Sequence, residues 1–121
     1  MKTIKFLLLF GTLVWSINTY AMVGASAAIV INAGNASKMA QGKALYEKYD
    51  CHMCHKVDVK VVGPAYKDVA AKYKGQAGIE DTLVAKVKKG GSGNWGTVPM
   101  LPHPNVPDAD LHTLVQWVLA H

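Results

Sequence analysis

Five consecutive residues, 51–55, carry most of the reactive side chains in this sequence. They read "CHMCH" and offer two thiols, two imidazoles and one thioether. Three kinds of site use such groups at this spacing: a redox-active disulfide, part of a zinc site, and a covalently attached haem. The rest of the sequence must decide among them.

The haem interpretation accounts best for this motif. A redox C-x-x-C motif belongs to a βαβ context, which the helical pattern described below lacks. A structural zinc site needs four ligands, and the usual second pair of ligands is missing. The pattern C-x-x-C-H is typical of c-type haem attachment, because thiols three residues apart lie one helical turn apart and can both reach the porphyrin. We therefore predict one covalent haem c at Cys51 and Cys54, with His55 as an iron ligand.

The second axial ligand decides what the iron can do. Met100 lies in "PMLP", where prolines stiffen the backbone, and it belongs to no helical pattern. It is the predicted ligand, in the His/Met pairing that cytochromes c use. His103 lies three residues later and is the alternative, and an open coordination position is the third possibility.

Four helices are predicted to position these residues. Apolar periodicity and end signals place them at about 38–50, shortly after Pro64, at about 79–89 and from about residue 108 to the C-terminus. Residues 90–106 contain four glycines and three prolines, and a structureless segment of that length is usually functional. No segment alternates well enough to predict a strand, so the predicted fold class is all-α.

A few residues in these helices have a predicted structural role. Ser37 can cap the first helix. Gly42 lies four residues before Tyr46, where the missing side chain would let another helix approach; the alternative is that Gly42 only costs helix stability. Tyr46 and Tyr66 are interpreted as core residues.

The N-terminal residues 1–27 predict a secretory signal peptide and leader. Lys2 and Lys5 precede the apolar run 6–15, and small residues follow it, with cleavage expected after Ala21 or Ala27. Residues 28–37 are then predicted to form a flexible arm before one domain at 38–121. An uncleaved anchor is the alternative, although several polar residues and a glycine interrupt the apolar run.

The charge of the exported chain excludes some partners. All 13 basic residues are lysines, and loss of the signal would leave a net charge of about +3, without the dense arginine clusters of nucleic-acid binders. A weakly basic surface suits brief docking on an acidic protein. The lysines that could rim an exposed haem edge are Lys56, Lys60, Lys67, Lys72 and Lys74.

Residues 38–121 also resemble a known family. The segments "CHMCH", "VGPAYKDVAAKYKGQAG", "GSGNWG", "VPM" and "WVLA" occur in this order, as in the small bacterial class I cytochromes c of the cytochrome c-551 type. The resemblance implies about four short helices wrapped around one covalently bound haem. It also implies a monomeric periplasmic carrier that is not inserted in the membrane after signal cleavage.

The resemblance further implies a function and partners. Such proteins pass single electrons by outer-sphere transfer, from a membrane cytochrome complex to a terminal reductase or oxidase, notably nitrite reductase. We therefore expect an electron carrier and not an enzyme. The alternative is a gas sensor or a peroxidase-like haem enzyme, which would need a displaceable axial ligand, and no distal acid/base group for such chemistry is identified.

The resemblance assigns three more residues to the haem. By position, the Pro64 carbonyl accepts a hydrogen bond from His55, and the Trp95 indole donates to a haem propionate. Lys86 stands where the family often has an arginine near a propionate. The segment after Met100 is one residue longer than the family's usual form, so Asn105 is the expected, but displaced, hydrogen-bond partner of the methionine sulfur.

Overall fold

The computed structural model describes residues 23–121, with side chains from residue 33 onward. Four helices run in the order α1 (Val23–Lys48), α2 (Tyr66–Tyr73), α3 (Ile79–Lys89) and α4 (Asp108–Leu119), with a 3-10 turn at Cys51–Met53 between α1 and α2. Two short strands, β1 (Gly91–Gly93) and β2 (Gly96–Met100), separate α3 from α4. The four predicted helices are confirmed.

Helix α1 begins well before the position predicted from the sequence. It includes residues 28–37, the predicted flexible arm, and Ser37, the expected N-cap, lies inside it. No proline interrupts this segment and alanines recur in it, so the helix that begins the domain can continue backward through it. The side chains at 33–38 are all exposed. Residues 1–22 of the predicted signal peptide lie outside the described residues, and that peptide remains a prediction.

The ends of α3 explain why it stops where it does. Glu80 and Asp81 lie in its first turn and three lysines in its last turn, as the helix dipole favours. Gly90 follows with φ +67°, a backbone conformation that residues with a Cβ rarely adopt. The chain therefore turns sharply out of α3 and into the hairpin.

The β1–β2 hairpin was not predicted. Gly91 pairs with Met100 and Gly93 with Gly96 in antiparallel register, with an irregularity between the two pairs. The strands are exposed on almost every residue, so they lack the inside-outside alternation that identifies a strand in a sequence. The segment 90–106 is thus partly ordered by main-chain hydrogen bonds.

The core lies where α1 crosses α4. A Cβ added to Gly42 would lie 2.1 Å from the Cβ of Trp117, so only glycine allows this crossing. Trp117 is 5% exposed and packs with Tyr46, Tyr66 and neighbouring apolar side chains. The sequence prediction that Gly42 admits another helix is confirmed. Within the described residues, no helix is both long enough and apolar enough to cross a membrane.

Candidate haem-binding site

A cavity of about 480 Å³ opens between the helices, the 3-10 turn and the hairpin. Its walls are mainly apolar, with Val69, Leu83 and Val87 on α2 and α3 and three further side chains on α4: Leu114, Val115 and Val118. Among the residues that the structure describes, Asp50 and Lys86 are the only Asp, Glu or Lys side chains in this lining. A flat, largely apolar group with a few polar substituents matches such walls.

The motif 51–55 forms the first wall of the cavity. The carbonyl of Cys51 accepts from the backbone N–H of Cys54 at 3.2 Å and from that of His55 at 2.9 Å. This tight turn brings both cysteines and the histidine to the cavity lining. Cys51 is half-buried and Cys54 exposed, and the two sulfurs are not bonded to each other. Burial raises the pKa of the Cys51 thiol.

The imidazole of His55 has a defined tautomer. Its Nδ1 lies 2.9 Å from the carbonyl oxygen of Pro64, and a carbonyl only accepts, so Nδ1 carries the proton. Nε2 is then left with its lone pair, which is the form of histidine that binds a metal. The position of the Pro64 carbonyl thus agrees with the role that the sequence resemblance implied for it.

Three further residues hold His55, and sequence reasoning missed their role. The Tyr46 hydroxyl donates to the His55 carbonyl at 2.8 Å. The Tyr66 ring stacks on the imidazole with a centroid distance of 5.2 Å and an interplanar angle of 16°. A Cβ on Gly63 would lie 2.2 Å from the His55 Cε1 atom. The two tyrosines were interpreted only as core, and burial raises the pKa of both phenols.

Met100 lies on the other wall of the cavity. It is half-buried at the end of β2 and lines the cavity with its neighbours Pro99 and Leu101. The backbone here is packed against Gly90, since a Cβ on Gly90 would lie 2.4 Å from the Met100 carbonyl oxygen. The structure therefore brings Met100 and His55, the two predicted iron ligands, to one cavity.

His103, the alternative ligand, and Asn105, the expected hydrogen-bond partner of Met100, are placed differently. His103 is half-buried and lines the cavity, and its backbone N–H donates to the Val87 carbonyl at 3.1 Å. Asn105 is exposed and is not part of the cavity lining. The proposed contact from Asn105 to the methionine sulfur therefore finds no support in this arrangement.

Lys86 and Trp95 contribute polar groups to the cavity lining. The Lys86 ammonium donates to the Gly91 carbonyl at 2.8 Å. Trp95 is half-buried, and the Lys72 ammonium lies 4.6 Å from its ring centroid and donates to the Asn94 carbonyl at 3.2 Å. The ring of Trp95 also meets that of Tyr73 edge to face. Both residues predicted to face the propionates thus lie at the cavity.

These features together fit a covalently attached haem. Two thiols, an imidazole with a free Nε2 and a thioether border one apolar cavity. Those are the groups needed for two thioether bonds and for His/Met ligation of an iron. A cationic side chain and an indole at the rim complete a site for a group that is apolar on its faces and anionic at one edge.

The comparisons with known proteins agree with this fit. The family described as Cytochrome c matches residues 39–121. Cytochrome c-551 of Azotobacter vinelandii is 58% identical over 80 residues, which cover 66% of this chain and 96% of the relative. Cytochrome c-552 of Hydrogenobacter thermophilus is 46% identical over 92 residues, or 76% of this chain and 93% of the relative.

Solved structures show the same fold. The crystal structure of Nitrosomonas europaea cytochrome c552 superposes with a TM-score of 0.62 at 47% identity, over 64% of this chain and 96% of that chain. The class 1 cytochrome MtoD from Sideroxydans lithotrophicus ES-1 gives a TM-score of 0.59 at 32% identity, over 67% and 92%. The chain therefore belongs to the cytochrome c family, as a small class I c-type cytochrome with one covalently attached haem c that carries electrons.

Proposed function

We propose that Cys51 and Cys54 form the thioether bonds to the haem and that His55 and Met100 are its axial ligands. The observation that carries this proposal is one apolar cavity bordered by all four side chains, with the Nδ1 of His55 already bound to Pro64. We further propose that Lys86 and Trp95 face the haem propionates. Lys86 is a point charge and cannot form the bidentate pair that an arginine would.

The bound haem supplies an iron that gains or loses one electron. The protein holds its two ligands fixed, so the geometry need change little between oxidation states. The neutral thioether of Met100 favours the reduced state and raises the potential relative to a second imidazole. The hydrogen bond from His55 to Pro64 makes the imidazole a stronger donor and fixes its orientation.

Export and partners belong to the same proposal. We infer a periplasmic carrier that takes electrons from a membrane cytochrome complex and gives them to a terminal reductase or oxidase, with nitrite reductase as one acceptor. The basic and apolar leader at residues 1–27 supports export. Exposed apolar side chains around the cavity mouth, among them Val98 and Leu101, support a docking face at the haem edge.

The lysines predicted to steer a partner are not equivalent. Lys67 forms an ion pair with Asp58, which offsets its charge. Lys72 contacts Asn94 and Trp95, both of which line the cavity. Lys72 is therefore the steering lysine that the geometry favours, since its charge lies at the rim.

The attachment is tested by the mass of protein matured in a periplasm. We expect one haem per chain, retained after acid-acetone extraction, and loss of this retention when both Cys51 and Cys54 are replaced by alanine. The ferrous protein should resist carbon monoxide at neutral pH. Free thiols with an apo mass would contradict the attachment, and rapid carbon monoxide binding would indicate a sensor or enzyme.

Steering is tested with Lys72→Gln and a matched control. The second-order rate with an acidic redox partner should fall as salt rises, and Lys72→Gln should slow the reaction at low salt. Lys38→Gln removes an equal charge on α1, outside the cavity lining, and should change the rate less. A defect of Lys72→Gln that persists at high salt would indicate a displaced Trp95 and not lost steering.

A further inference from the structure

The imidazole of His55 is held by three residues of one short segment. Pro64 accepts its Nδ1–H at 2.9 Å, and Tyr66 stacks on its face within 16° of parallel. The backbone at Gly63 approaches so closely that an added Cβ would lie 2.2 Å from Cε1 and 2.7 Å from both ring nitrogens. A single hydrogen bond anchors one ring atom, whereas these three contacts together define the ring plane.

Tyr66 is itself enclosed by the core. It is 7% exposed, and its ring meets Tyr46 at 5.7 Å and Trp117 at 5.6 Å, both edge to face. Its backbone N–H donates to the Lys56 carbonyl at 3.0 Å, which ties the start of α2 to the residue after His55. The stacking partner of the imidazole is therefore part of the α1–α4 core, and the core orients the ring.

We propose that Tyr66 and Gly63 are positioning residues that fix the rotation of the His55 plane about its bond to the iron. This inference depends on the proposed ligation by His55. In a haem bound by His55 and Met100, the plane of the imidazole would help to select the iron d orbital that overlaps with its π electrons, so its angle would contribute to the electronic asymmetry of the ferric haem. Contacts that orient a metal-bound histidine also tune the properties of the metal.

Three substitutions in the haem-loaded protein test this role. Tyr66→Phe keeps the stacked ring and should leave the ferric g values and the order of the haem methyl shifts unchanged. Tyr66→Leu removes the flat face, and Gly63→Ala pushes on the imidazole from the backbone. Both substitutions should change the spread of the ferric g values and the order of the haem methyl shifts, and both should shift the midpoint potential. If the Tyr66→Leu protein does not accumulate, Gly63→Ala still tests the proposal.

A matched core variant separates positioning from mere stability. Leu111 is fully buried on α4 and does not line the cavity, so Leu111→Val should lower the unfolding midpoint without moving the g values. If Tyr66→Leu and Gly63→Ala behave like Leu111→Val, the inference is wrong and Tyr66 only packs. The wild-type ferric spectrum is measured first, because absence of a low-spin histidine-methionine signature would overturn the proposed ligation instead.

Discussion

The two walls of the cavity that carry His55 and Met100 are built in opposite ways. His55 contacts Tyr46 and Tyr66, each 7% exposed, which in turn pack on the buried Trp117. Met100 ends an exposed strand, and its neighbours Val98 and Leu101 are 64% and 72% exposed. One ligand is thus supported by the core, and the other by the backbone of a glycine-rich and proline-rich segment.

Mutations in the two walls should therefore change different properties of the protein. The histidine wall shares its side chains with the helix crossing, so damage there should lower the stability of the whole domain. The methionine wall depends on a few close backbone contacts, such as Gly90 against Met100. Damage there should alter iron ligation with less effect on global unfolding. The following variants test that separation, beginning with the largest expected effect.

Replacement of Met100 should have the largest effect on the iron and a small one on the fold. We expect Met100→His to keep a six-coordinate low-spin haem while lowering the potential by a sizeable part of the roughly 0.8 V that axial ligands span. Met100→Ala should open the iron to carbon monoxide. Redox titration measures the change in potential, and carbon monoxide binding measures the opening of the iron. Thermal unfolding should show a midpoint close to that of the wild type, because the helices are not affected.

His103 provides the control for this experiment, because it lines the same cavity. His103→Ala should change the potential only slightly, and the double variant with Met100→Ala should bind carbon monoxide as the single one does. If Met100→Ala leaves spectrum and potential unchanged while His103→Ala removes the low-spin state, the assignment of Met100 is wrong and the haem has two histidine ligands.

Gly42→Ala should have the largest effect on stability. The added Cβ would lie 2.1 Å from the Cβ of Trp117, an atom fixed to the α4 backbone. Overpacking of this kind costs about 1–3 kcal/mol, and here it would separate α1 from α4. Chemical denaturation should show this loss, while the absorption band that reports thioether ligation persists in the folded protein.

Gly34→Ala is the matched control on the same helix. A Cβ at Gly34 would meet nothing within 4 Å, and alanine is the better helix former. We therefore expect an unchanged or slightly higher unfolding midpoint. If Gly34→Ala and Gly42→Ala lowered the free energy of unfolding equally, the close crossing of α1 and α4 would not be the cause of the loss.

Gly90→Ala should act mainly on the methionine wall. The new Cβ would clash with the Met100 carbonyl at 2.4 Å, and φ at this position is +67°. We expect a weaker thioether band and faster carbon monoxide binding. Gly75→Ala shares a positive φ but meets nothing within 4 Å and lies outside the cavity lining, so it should lose backbone energy on the order of 1–2 kcal/mol without a change in ligation. If the thioether band weakened equally in both variants, the proposal that the methionine wall controls ligation through its contact with Gly90 would be wrong.

The chemistry of the site was predictable because it depends on residue types at fixed spacing. The cysteines, His55 and Met100 were all assigned from the sequence, and the structure brings them to one cavity. Gly42 was also identified, since a glycine one turn before Tyr46 in an amphipathic helix signals a close approach. Local spacing identifies the 51–55 motif and Gly42 without knowledge of the tertiary structure, whereas Met100 was assigned because it lies between prolines and outside every helical pattern.

What the sequence did not reveal depends on contacts between distant segments. The hairpin escaped prediction because its strands are exposed and stabilised by main-chain pairing. The contact of Tyr66 with His55 was missed because an aromatic residue after a proline indicates only burial. The two rings stack because the chain folds back past the 51–55 motif before it reaches Tyr66. The extension of α1 through residues 28–37 was missed because an apolar leader gives no helical periodicity.

The smallest expected effect lies outside both walls, at Glu80. The Nδ1–H of His112 and the side-chain amide of Gln116 both donate to one Glu80 oxygen, at 2.8 and 2.9 Å, and join α3 to α4. The bond from His112 lowers the pKa of the Glu80 carboxyl below its ordinary value of 4.5. This contribution to stability is therefore complete above about pH 4.5 and is lost as the pH falls through the lower folded-state value.

Glu80→Gln should remove this acid-sensitive contribution. Partly exposed pairs contribute about 0.2–1 kcal/mol, so the variant should unfold slightly earlier than the wild type at pH 7, and this difference should shrink as the pH falls below 4.5. Asp81→Asn is the control, since its carboxylate is 84% exposed and 3.9 Å from His112. Neither change should affect the potential, because neither residue lines the cavity. A stability difference for Glu80→Gln that stays constant from pH 7 to pH 3 would show that ionisation of Glu80 does not contribute to holding α3 against α4.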